Sequence, residues 1–442
     1  MKIPPIEVSA TRRQMLGMPA ARFLRDYWQE RPLLVRNAFP DFASSMAPDE
    51  LAGLACMDGA LARIVLRTPS PSSSRAPRSG DPESSSSAGR NDGIRVQHYA
   101  PPRQENRRKS AAGRLQKHDG WSVRTGPFDD DTFAKLPNSR WTLLVQDADK
   151  WDADTAALLD GFMFIPNWRV DDVMVSYAVD GGGVGAHVDQ YDVFLLQGLG
   201  RRRWAIDTRL DPPTAFREDV DLKLLREFNP THEWILDPGD MLYLPPGIPH
   251  DGTAVGECMT FSIGMRAPAA SELLLDFTEH LAEALPESQR YSDPDLVPAT
   301  APGEIDNAAL RRVRRTLGPT SATLDDDAFT DWFGSFVTRY RCAQVALPRK
   351  RPVDSAAIAD RLPQLRLRRD PWSRFAWRRK GRDARIYVAG TALDAPVGWA
   401  RVLASGGRVF DGADLAKLPQ PSRGIALLVK LINAGHVTYR HR

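Results

Sequence analysis

The sequence lacks the features that define several classes of protein. No apolar run is long enough for a membrane helix, and the start, MKIPPIEVSATRRQ, lacks the apolar segment of a secretory signal. The three cysteines, Cys56, Cys258 and Cys342, are too few and too far apart for a disulfide framework. These absences predict a cytoplasmic protein in a reducing compartment, with no membrane partner.

A strong excess of charge is also missing. The 59 Lys and Arg residues nearly balance the 56 Asp and Glu residues, which leaves a formal net charge of +3. Bulk charge therefore does not favour attachment to nucleic acid. The exception is the segment 366–385, which is rich in arginine and carries Trp372, Phe375 and Trp377. We interpret it as a solvated face above core aromatics, with a binding patch as the alternative.

The composition changes along the chain in a way that indicates more than one domain, as a length of 442 residues also suggests. Residues 69–118 are rich in Ser, Pro, Arg and Gly, and we predict a disordered surface insertion there. Between 141 and 265, short segments rich in β-branched and aromatic residues predict strands that close into a double-sheet β structure. They read WTLLVQ, VMVSYAV, DVFLLQ, RRWAID, EWILD, DMLYLP and CMTFSIGM. The residues after 268 show helical patterns.

The segment GGGVGAHVDQYDVFLLQGLGRRRW, residues 181–204, carries the most informative chemistry. His187 and Asp189 are one residue apart, so on a strand their side chains point to the same face. His250, at the end of PGDMLYLPPGIPH, is the best candidate for a second imidazole. Two His and one carboxylate form the facial triad of non-haem Fe(II) oxygenases, which leaves coordination positions for a co-substrate and O2. A lone His-x-Asp also occurs by chance, and a satisfied structural histidine is the ordinary alternative.

An oxo-acid co-substrate needs a cation for its far carboxylate, and arginine matches a carboxylate better than lysine does. We predict a turn at residues 198–200, followed by a strand that begins with Arg201, Arg202 and Arg203. Strand alternation places Arg202 on the same face as Trp204, and we expect that face to point inward. The alternative is that all three arginines are surface charges.

Taken together, these motifs resemble the bacterial JmjC ribosomal oxygenases. The resemblance rests on H-x-D-Q-Y-D-V-F-x-x-Q-G-x-G-R-R-R-W, on PGD-x-L-Y-x-PPG-x-PH and on SIG-x-RAP, and it extends over nearly the whole chain. It implies a mainly β fold, a double-stranded β-helix of the jelly-roll type. The implied domains are a JmjC oxygenase domain at 1–268, a helical dimerisation region at 269–350 and a winged-helix-like module at 351–442.

The resemblance also implies an activity and a set of site residues. The activity is that of a 2-oxoglutarate-dependent dioxygenase, similar to a protein arginine 3-hydroxylase, acting on a large-subunit ribosomal protein. The implied Fe(II) ligands are His187, Asp189 and His250, and the implied partner of 2-oxoglutarate is Arg202. Asp171 and Ser262 match positions that contact the substrate arginine in the family, and Tyr191 lies beside the metal-binding strand. Ala178 departs from the family pattern, because we expect a hydroxyl residue there, and the second donor beside Arg202 stays open.

Three alternatives remain at this point. The same chemistry is compatible with a histidine target, with another protein target or with lysine demethylation, although Asp171 favours a cationic guest. A cupin that binds metal without turnover is possible in principle, but it has no need of an anchor such as Arg202. A nucleic-acid-binding module is disfavoured by the nearly balanced charge, so direct nucleic-acid binding is not expected.

We also expect an apolar wall of Phe194, Leu196, Met241 and Leu242 around the site, with ordinary core residues as the alternative.

Overall fold

The computed structural model describes residues 6–44, 46–67, 116–118, 120–218, 222–283, 285–296, 307–317, 326–339 and 344–441. The chain divides into two compact units, Met1–Ala267 and Pro268–Arg442. Among the described residues, no helix combines the length and the apolar character needed to cross a membrane. Most of the predicted insertion, residues 69–115, lies outside the described residues, whereas residues 116–118, which we also assigned to it, form a short strand.

The first unit consists mainly of strands. Its strands are β1 (Glu7–Ser9), β2 (Leu33–Arg36), β3 (Ala62–Arg67), β4 (Gln116–His118), β5 (Trp121–Thr125), β6 (Trp141–Val145), β7 (Val170–Ala178), β8 (His187–Val188), β9 (Val193–Ile206), β10 (His232–Leu236), β11 (Met241–Leu244) and β12 (Pro249–Met265). Its helices are α1 (Ala20–Asp26), α2 (Pro48–Ala55), α3 (Asp130–Ala134), α4 (Ala148–Trp151) and α5 (Ala153–Ala157).

Two long strands, β9 and β12, organise this unit. The main path of the sheet runs β1-β2-β11-β9-β12-β7-β6-β3-β5-β4, and β10 and β8 pair with β9 and β12 beside it. The strand β12 pairs with β9 along most of its length, with β8 near its start and with β7 near its end. This mainly β architecture confirms the predicted fold class.

Alternation along β7 separates two faces of the sheet. Val173, Val175 and Tyr177 are buried in the largest hydrophobic core, which also contains Phe23 of α1. Met174 and Ser176 therefore point to the opposite face, where the candidate site lies. A sheet that is buried on both faces explains why β7 reads as a nearly continuous apolar run.

The predicted turn at residues 198–200 is wrong. Gly198, Leu199 and Gly200 lie inside β9, which runs unbroken through the two segments predicted as separate strands. The pairing of β9 with β12 shifts register on both sides of this point. The glycines therefore mark irregularities within one strand, which is the other common meaning of glycine in a strand pattern.

The second unit begins with three helices, α6 (Ala270–Glu283), α7 (Asn307–Leu317) and α8 (Asp326–Arg339). Two three-stranded sheets follow, with the orders β17-β13-β18 and β14-β15-β16. Their strands are β13 (Leu365–Arg369), β14 (Phe375–Lys380), β15 (Asp383–Val388), β16 (Thr391–Ala395), β17 (Val409–Asp411) and β18 (Val437–His441). The helices among them are α9 (Ser355–Ala359), α10 (Val397–Leu403), α11 (Gly412–Ala416) and α12 (Pro421–Asn433).

A separate hydrophobic core, centred on the fully buried Trp399, holds these later elements together. The predicted boundary between a helical region and a C-terminal module at residue 350 lies within this one compact unit and stays a prediction.

Candidate active site

The structure brings His187, Asp189 and His250 together. His187 of β8 and His250 of β12 are direct partners in an antiparallel ladder, and their ring centroids are 4.2 Å apart. Asp189 follows β8, and its Oδ2 lies 3.9 Å from His187 Nε2 and 3.7 Å from His250 Nε2. One potential ligand atom from each residue lies within 4.8 Å of the other two. The i, i+2 spacing and the β12 register together produce this convergence.

The two imidazoles are oriented as metal ligands. Nδ1 of His187 bonds to the carbonyl of Gly185 at 2.8 Å, and Nδ1 of His250 bonds to the carbonyl of Ile248 at 2.9 Å. These carbonyls accept, so each Nδ1 carries the proton and each Nε2 lone pair faces Asp189. Burial lowers the pKa of His250 to about 4, which keeps this ring in the neutral form that binds metal.

A ferrous ion fits this donor set. The Nε2 to Oδ2 separations are too long for hydrogen bonds, so the three side chains do not satisfy one another directly. Two neutral imidazoles and a carboxylate, without a thiolate, suit Fe(II) and leave half of an octahedral shell open. His250 is nearly fully buried, whereas His187 and Asp189 each retain 24% exposure, so the site opens to one side.

Glycine allows the chain to reach His187. Gly185 has φ +83°, and a Cβ at this position would lie 3.0 Å from ring carbon Cζ2 of Trp121 and from a methyl group of Leu224. Any larger residue would be strained and would push against both side chains. The close approach inferred from the glycine run therefore exists at this position.

A guanidinium lies on the inward face of β9. Arg202 and Trp204 are each 5% exposed, and the Arg202 Cζ lies 5.7 Å from the centroid of the Trp204 ring. The same Trp204 ring lies 6.0 Å from that of His250, which links the guanidinium to the metal site. Among the described residues, Arg202 forms no salt bridge and its buried Nε has no hydrogen-bond partner. A buried arginine with an unsatisfied donor suits an anionic guest.

Two hydroxyl groups near Ala178 contact Arg202. Nη1 of Arg202 donates to the Ser176 hydroxyl at 3.1 Å and to the Thr260 hydroxyl at 3.2 Å. Ser176 lies two residues before Ala178 on the same face of β7, and Thr260 is its direct partner on β12. The sequence analysis did not identify these two residues, although strand alternation from Ala178 would have pointed to Ser176.

Asp171 and Asp172 lie at a bulge in β7 and make different contacts. Ile263 pairs with Val173 and Met265 pairs with Val170, so both carboxylates stand opposite Gly264 and simple alternation does not assign their faces. The Asp171 carboxylate already pairs with Nε of the buried Arg266 at 3.4 Å. Asp172 forms no salt bridge among the described residues, and its Oδ2 accepts a hydrogen bond from the backbone N–H of Asp147. Asp172 is therefore a second acidic candidate that the sequence analysis did not name.

The other two predicted substrate residues lie near Asp172. Ser262 is the direct β12 partner of Met174, and the Cβ position of Gly264, two residues further on, is 3.4 Å from Asp172 Oδ1. Burial raises the pKa of the Tyr191 phenol, and the neighbouring carboxylates of Asp189 and Asp172 raise it further. Tyr191 thus remains a protonated donor near the carboxylates of Asp189 and Asp172.

The apolar wall differs from the predicted one. Phe194, Leu196 and Met241 belong to the main core on the other face of the sheet. Leu242 lies in a smaller cluster with Trp204, and a second small cluster includes Trp121 and Met174. The cause is an irregularity in β9: Gly198 is an extra residue in the pairing with β12, so Phe194 and Leu196 lie on the face opposite to Trp204.

Comparison with known proteins identifies the family. The JmjC domain family model matches residues 157–273, the ROXA-like winged helix model matches 321–438, and the AraC-like ligand binding domain model matches 230–340. The ribosomal protein uL16 3-hydroxylase of Escherichia coli is 30% identical over 419 residues, which covers 94% of this chain and 96% of that protein.

Solved structures agree with this result. An X-ray structure of E. coli YcfD matches with a TM-score of 0.71 and 30% identity, covering 96% of this chain and 99% of that one. YcfD, a ribosomal oxygenase, in complex with cobalt and 2-oxoglutarate matches with a TM-score of 0.69 and 29% identity over the same shares of the two chains. The chain therefore belongs to the JmjC ribosomal oxygenase family and is an Fe(II)- and 2-oxoglutarate-dependent dioxygenase.

Proposed function

We propose that this enzyme hydroxylates an arginine side chain of a large-subunit ribosomal protein. In this proposal His187, Asp189 and His250 hold Fe(II), and Arg202 holds the far carboxylate of 2-oxoglutarate. The convergence of the three donor atoms, with a buried guanidinium on the same face of the sheet, is the observation that carries the proposal. The matching E. coli enzyme, which is named for 3-hydroxylation of the ribosomal protein uL16, supports the choice of target.

The bound iron supplies the chemistry that couples oxidative decarboxylation of 2-oxoglutarate to the insertion of one oxygen atom into a C–H bond. The protein's own residues orient the reactants and limit the entry of water. Ser176 and Thr260 orient the Arg202 guanidinium, and Trp204 covers the space between Arg202 and His250. Two carbonyls fix the imidazole tautomers, so both ligands are ready without rearrangement.

For the substrate side chain, we propose Asp172 as the main acceptor, with Ser262 and Tyr191 beside it. A guanidinium needs a carboxylate without another cation, and Asp172 meets this condition among the described residues better than Asp171 does. A neutral imidazole would gain less from this carboxylate, which favours arginine over histidine as the target.

We also propose that the protein acts as a homodimer in the cytoplasm, where a ribosomal target is available. Helix α6 exposes Leu274 and Leu275, which are 64% and 72% accessible, and α8 exposes Phe329 at 49%. An apolar surface of this kind on the predicted dimerisation region favours a second copy of the chain.

Direct nucleic-acid binding is not expected, because several cations of β14 and β15 already have acidic partners. Lys380 pairs with Asp327 at 2.8 Å, and Arg385 pairs with Asp331 and Asp394 at 2.9 Å. A gel-shift titration with ribosomal RNA should accordingly show only weak binding at physiological salt, and tight binding there would contradict this expectation.

The test of the function uses the purified protein with Fe(II), ascorbate, 2-oxoglutarate and large-subunit ribosomal proteins. We expect a mass gain of one oxygen atom on one protein, located on an arginine by fragmentation. His187→Ala should abolish both this gain and succinate release. Succinate release by the wild-type enzyme with no modified ribosomal protein would contradict the proposed target and leave the oxygenase assignment in place.

A further inference from the structure

Gln197 has no part in the site described so far, although it stands in the motif that leads to Arg202. It is fully buried, like Thr260. The Thr260 hydroxyl accepts from Arg202 Nη1 at 3.2 Å and donates to Gln197 Oε1 at 3.0 Å. Gln197 Nε2 then donates to the carbonyls of Leu199 at 2.8 Å and Gly200 at 3.3 Å. A continuous chain of hydrogen bonds thus runs from the guanidinium to the backbone of β9.

The direction of each hydrogen bond is fixed by chemistry. A guanidinium only donates, so the Thr260 oxygen accepts and its proton is free for Gln197. Two backbone carbonyls only accept, so the amide nitrogen of Gln197 faces them and its oxygen faces Thr260. These hydrogen bonds allow only one orientation of the Gln197 amide, and such a network holds its members in one arrangement.

A bulge in β9 makes this chain of hydrogen bonds possible. Gln197 and Arg202 are five positions apart, so regular alternation would place them on opposite faces. The pairing of Thr260 with Gln197 and of Met259 with Leu199 leaves Gly198 as an extra residue. This extra residue reverses the alternation, and Leu195 and Trp204 accordingly lie in one hydrophobic cluster despite their odd separation.

We propose that Thr260 and Gln197 are positioning residues for the co-substrate, a role that rests on the proposed binding of 2-oxoglutarate by Arg202. They hold Nη1 of the guanidinium, which leaves its other N–H groups for the far carboxylate, and both side chains are themselves fully buried. The affinity for a dicarboxylate then depends on two residues that need not contact it.

The experiment measures binding to the Mn(II)-loaded full-length protein by calorimetry, with two probes. The first is 2-oxoglutarate, which reaches Arg202. The second is oxalate, which also chelates the metal through two oxygens but has no far carboxylate. Thr260→Val should weaken 2-oxoglutarate binding about tenfold, as expected for loss of one hydrogen bond to a charged group, and should change oxalate binding less than twofold. Thr260→Ser should restore wild-type binding of both probes.

Thr253→Val is the matched control. Thr253 lies on β12 as the partner of Arg203, on the face opposite to Arg202, and its hydroxyl donates to Asp251 at 3.4 Å. This variant should bind both probes like the wild type. Gln197→Met should weaken 2-oxoglutarate selectively, and the double variant with Thr260→Val should bind no more weakly than Thr260→Val alone, because both changes break one chain.

The outcomes distinguish the positioning role of Thr260 and Gln197 from the role of Arg202 as the partner of 2-oxoglutarate. Unchanged 2-oxoglutarate affinity in Thr260→Val, with a wild-type melting temperature, would overturn the positioning role. Equal weakening of both probes would also overturn it, because it would indicate general damage to the metal site. A wild-type protein that binds oxalate but not 2-oxoglutarate would instead refute the role of Arg202 itself.

Discussion

Asp172 and Asp171 are neighbours in sequence but differ in their partners. Asp172 accepts a hydrogen bond from the Asp147 N–H and forms no salt bridge among the described residues. The Asp171 carboxylate forms an ion pair with Arg266, and the Asp149 carboxylate forms one with Lys150. A carboxylate without a cationic partner among the described residues is the position that we propose for a cationic substrate group.

Substitution of Asp172 should therefore affect the substrate more than the co-substrate. Asp172→Asn keeps the shape and removes the charge, and we expect the KM for a ribosomal peptide to rise at least about tenfold, since one charge-assisted bond is lost. The Kd for 2-oxoglutarate should not change. Asp171→Asn is the matched control, with an expected change in peptide KM of less than about threefold. A larger effect from Asp171→Asn would return the substrate role to that residue.

The same carboxylate should make the stability of the protein depend on pH. Burial, together with the nearby charges of Asp171, Asp147 and Asp149, raises the pKa of Asp172 to about 7, against the hydrogen bond from the Asp147 N–H. The unfolded chain releases this proton near pH 4, whereas the folded protein retains it to about pH 7. This contribution to stability is therefore present below pH 4 and is lost as the pH rises to about 7.

Asp172→Asn removes that dependence. We expect the variant to melt at a higher temperature than the wild type at pH 8, with a much smaller difference at pH 4.5. Calorimetric melts at the two pH values check this. A difference of the same size at both would show that the carboxyl is not titrating between them.

At the scale of elements, the bulge in β9 is what brings Gln197, Arg202 and the metal strands to one face. Gly200 lies two residues after this bulge, beside a second register shift between Val255 and Cys258 of β12. It has φ +57°, and a Cβ there would lie 1.9 Å from the Glu257 carbonyl oxygen. The backbone of β12 cannot move aside without breaking its own pairing. The glycine is thus required by both conformation and space.

Gly200→Ala should destabilise the protein by about 2 kcal/mol or more, through strain and the forced backbone shift. It should also weaken 2-oxoglutarate binding, because Arg202 follows two residues later. Gly256→Ala is the control, since Gly256 has φ +73° but nothing within 4 Å of its Cβ position. Its cost should stay near 1 kcal/mol, with unchanged 2-oxoglutarate affinity. Equal effects of the two substitutions would refute the steric part of this account.

At the scale of elements, part of the fold and of the site could be predicted from the sequence. Apolar and β-branched runs identify β6, β7, β10 and β11, and the i, i+2 rule correctly puts His187 beside Asp189. Asp171 was named from the family resemblance, and the bulge in β7 that puts both Asp171 and Asp172 opposite Gly264 has no signal in the local pattern. The glycines at 198 and 200 were interpreted as a turn, because a bulge changes the alternation of side chains without changing the apolar pattern. The pairing of His250 with His187 is a long-range register that no local signal encodes.

For the whole molecule, the two units carry different proposed tasks. The first unit contains the oxygenase site, and the second contains exposed leucines on α6 that a single chain does not cover. The family resemblance implied a dimerisation region at 269–350, but the sequence did not show which side chains stay exposed.

The dimer proposal predicts a change of mass in solution. Leu274→Glu with Leu275→Glu should convert a dimer to a monomer in light scattering, because two charges would be buried at the interface. Leu210→Glu is the control, since Leu210 is a fully exposed leucine in the first unit. A monomeric wild-type protein at micromolar concentration would contradict the proposal.

The central claim is that one ferrous ion is held by His187, Asp189 and His250, with 2-oxoglutarate reaching Arg202. The most direct test is a crystal structure with Mn(II) and 2-oxoglutarate, using anomalous scattering to locate the metal. The account predicts one peak bonded to both Nε2 atoms and to the Asp189 carboxylate, with the far carboxylate of 2-oxoglutarate on the Arg202 guanidinium. A metal peak elsewhere, or a 2-oxoglutarate molecule that does not reach Arg202, would contradict it.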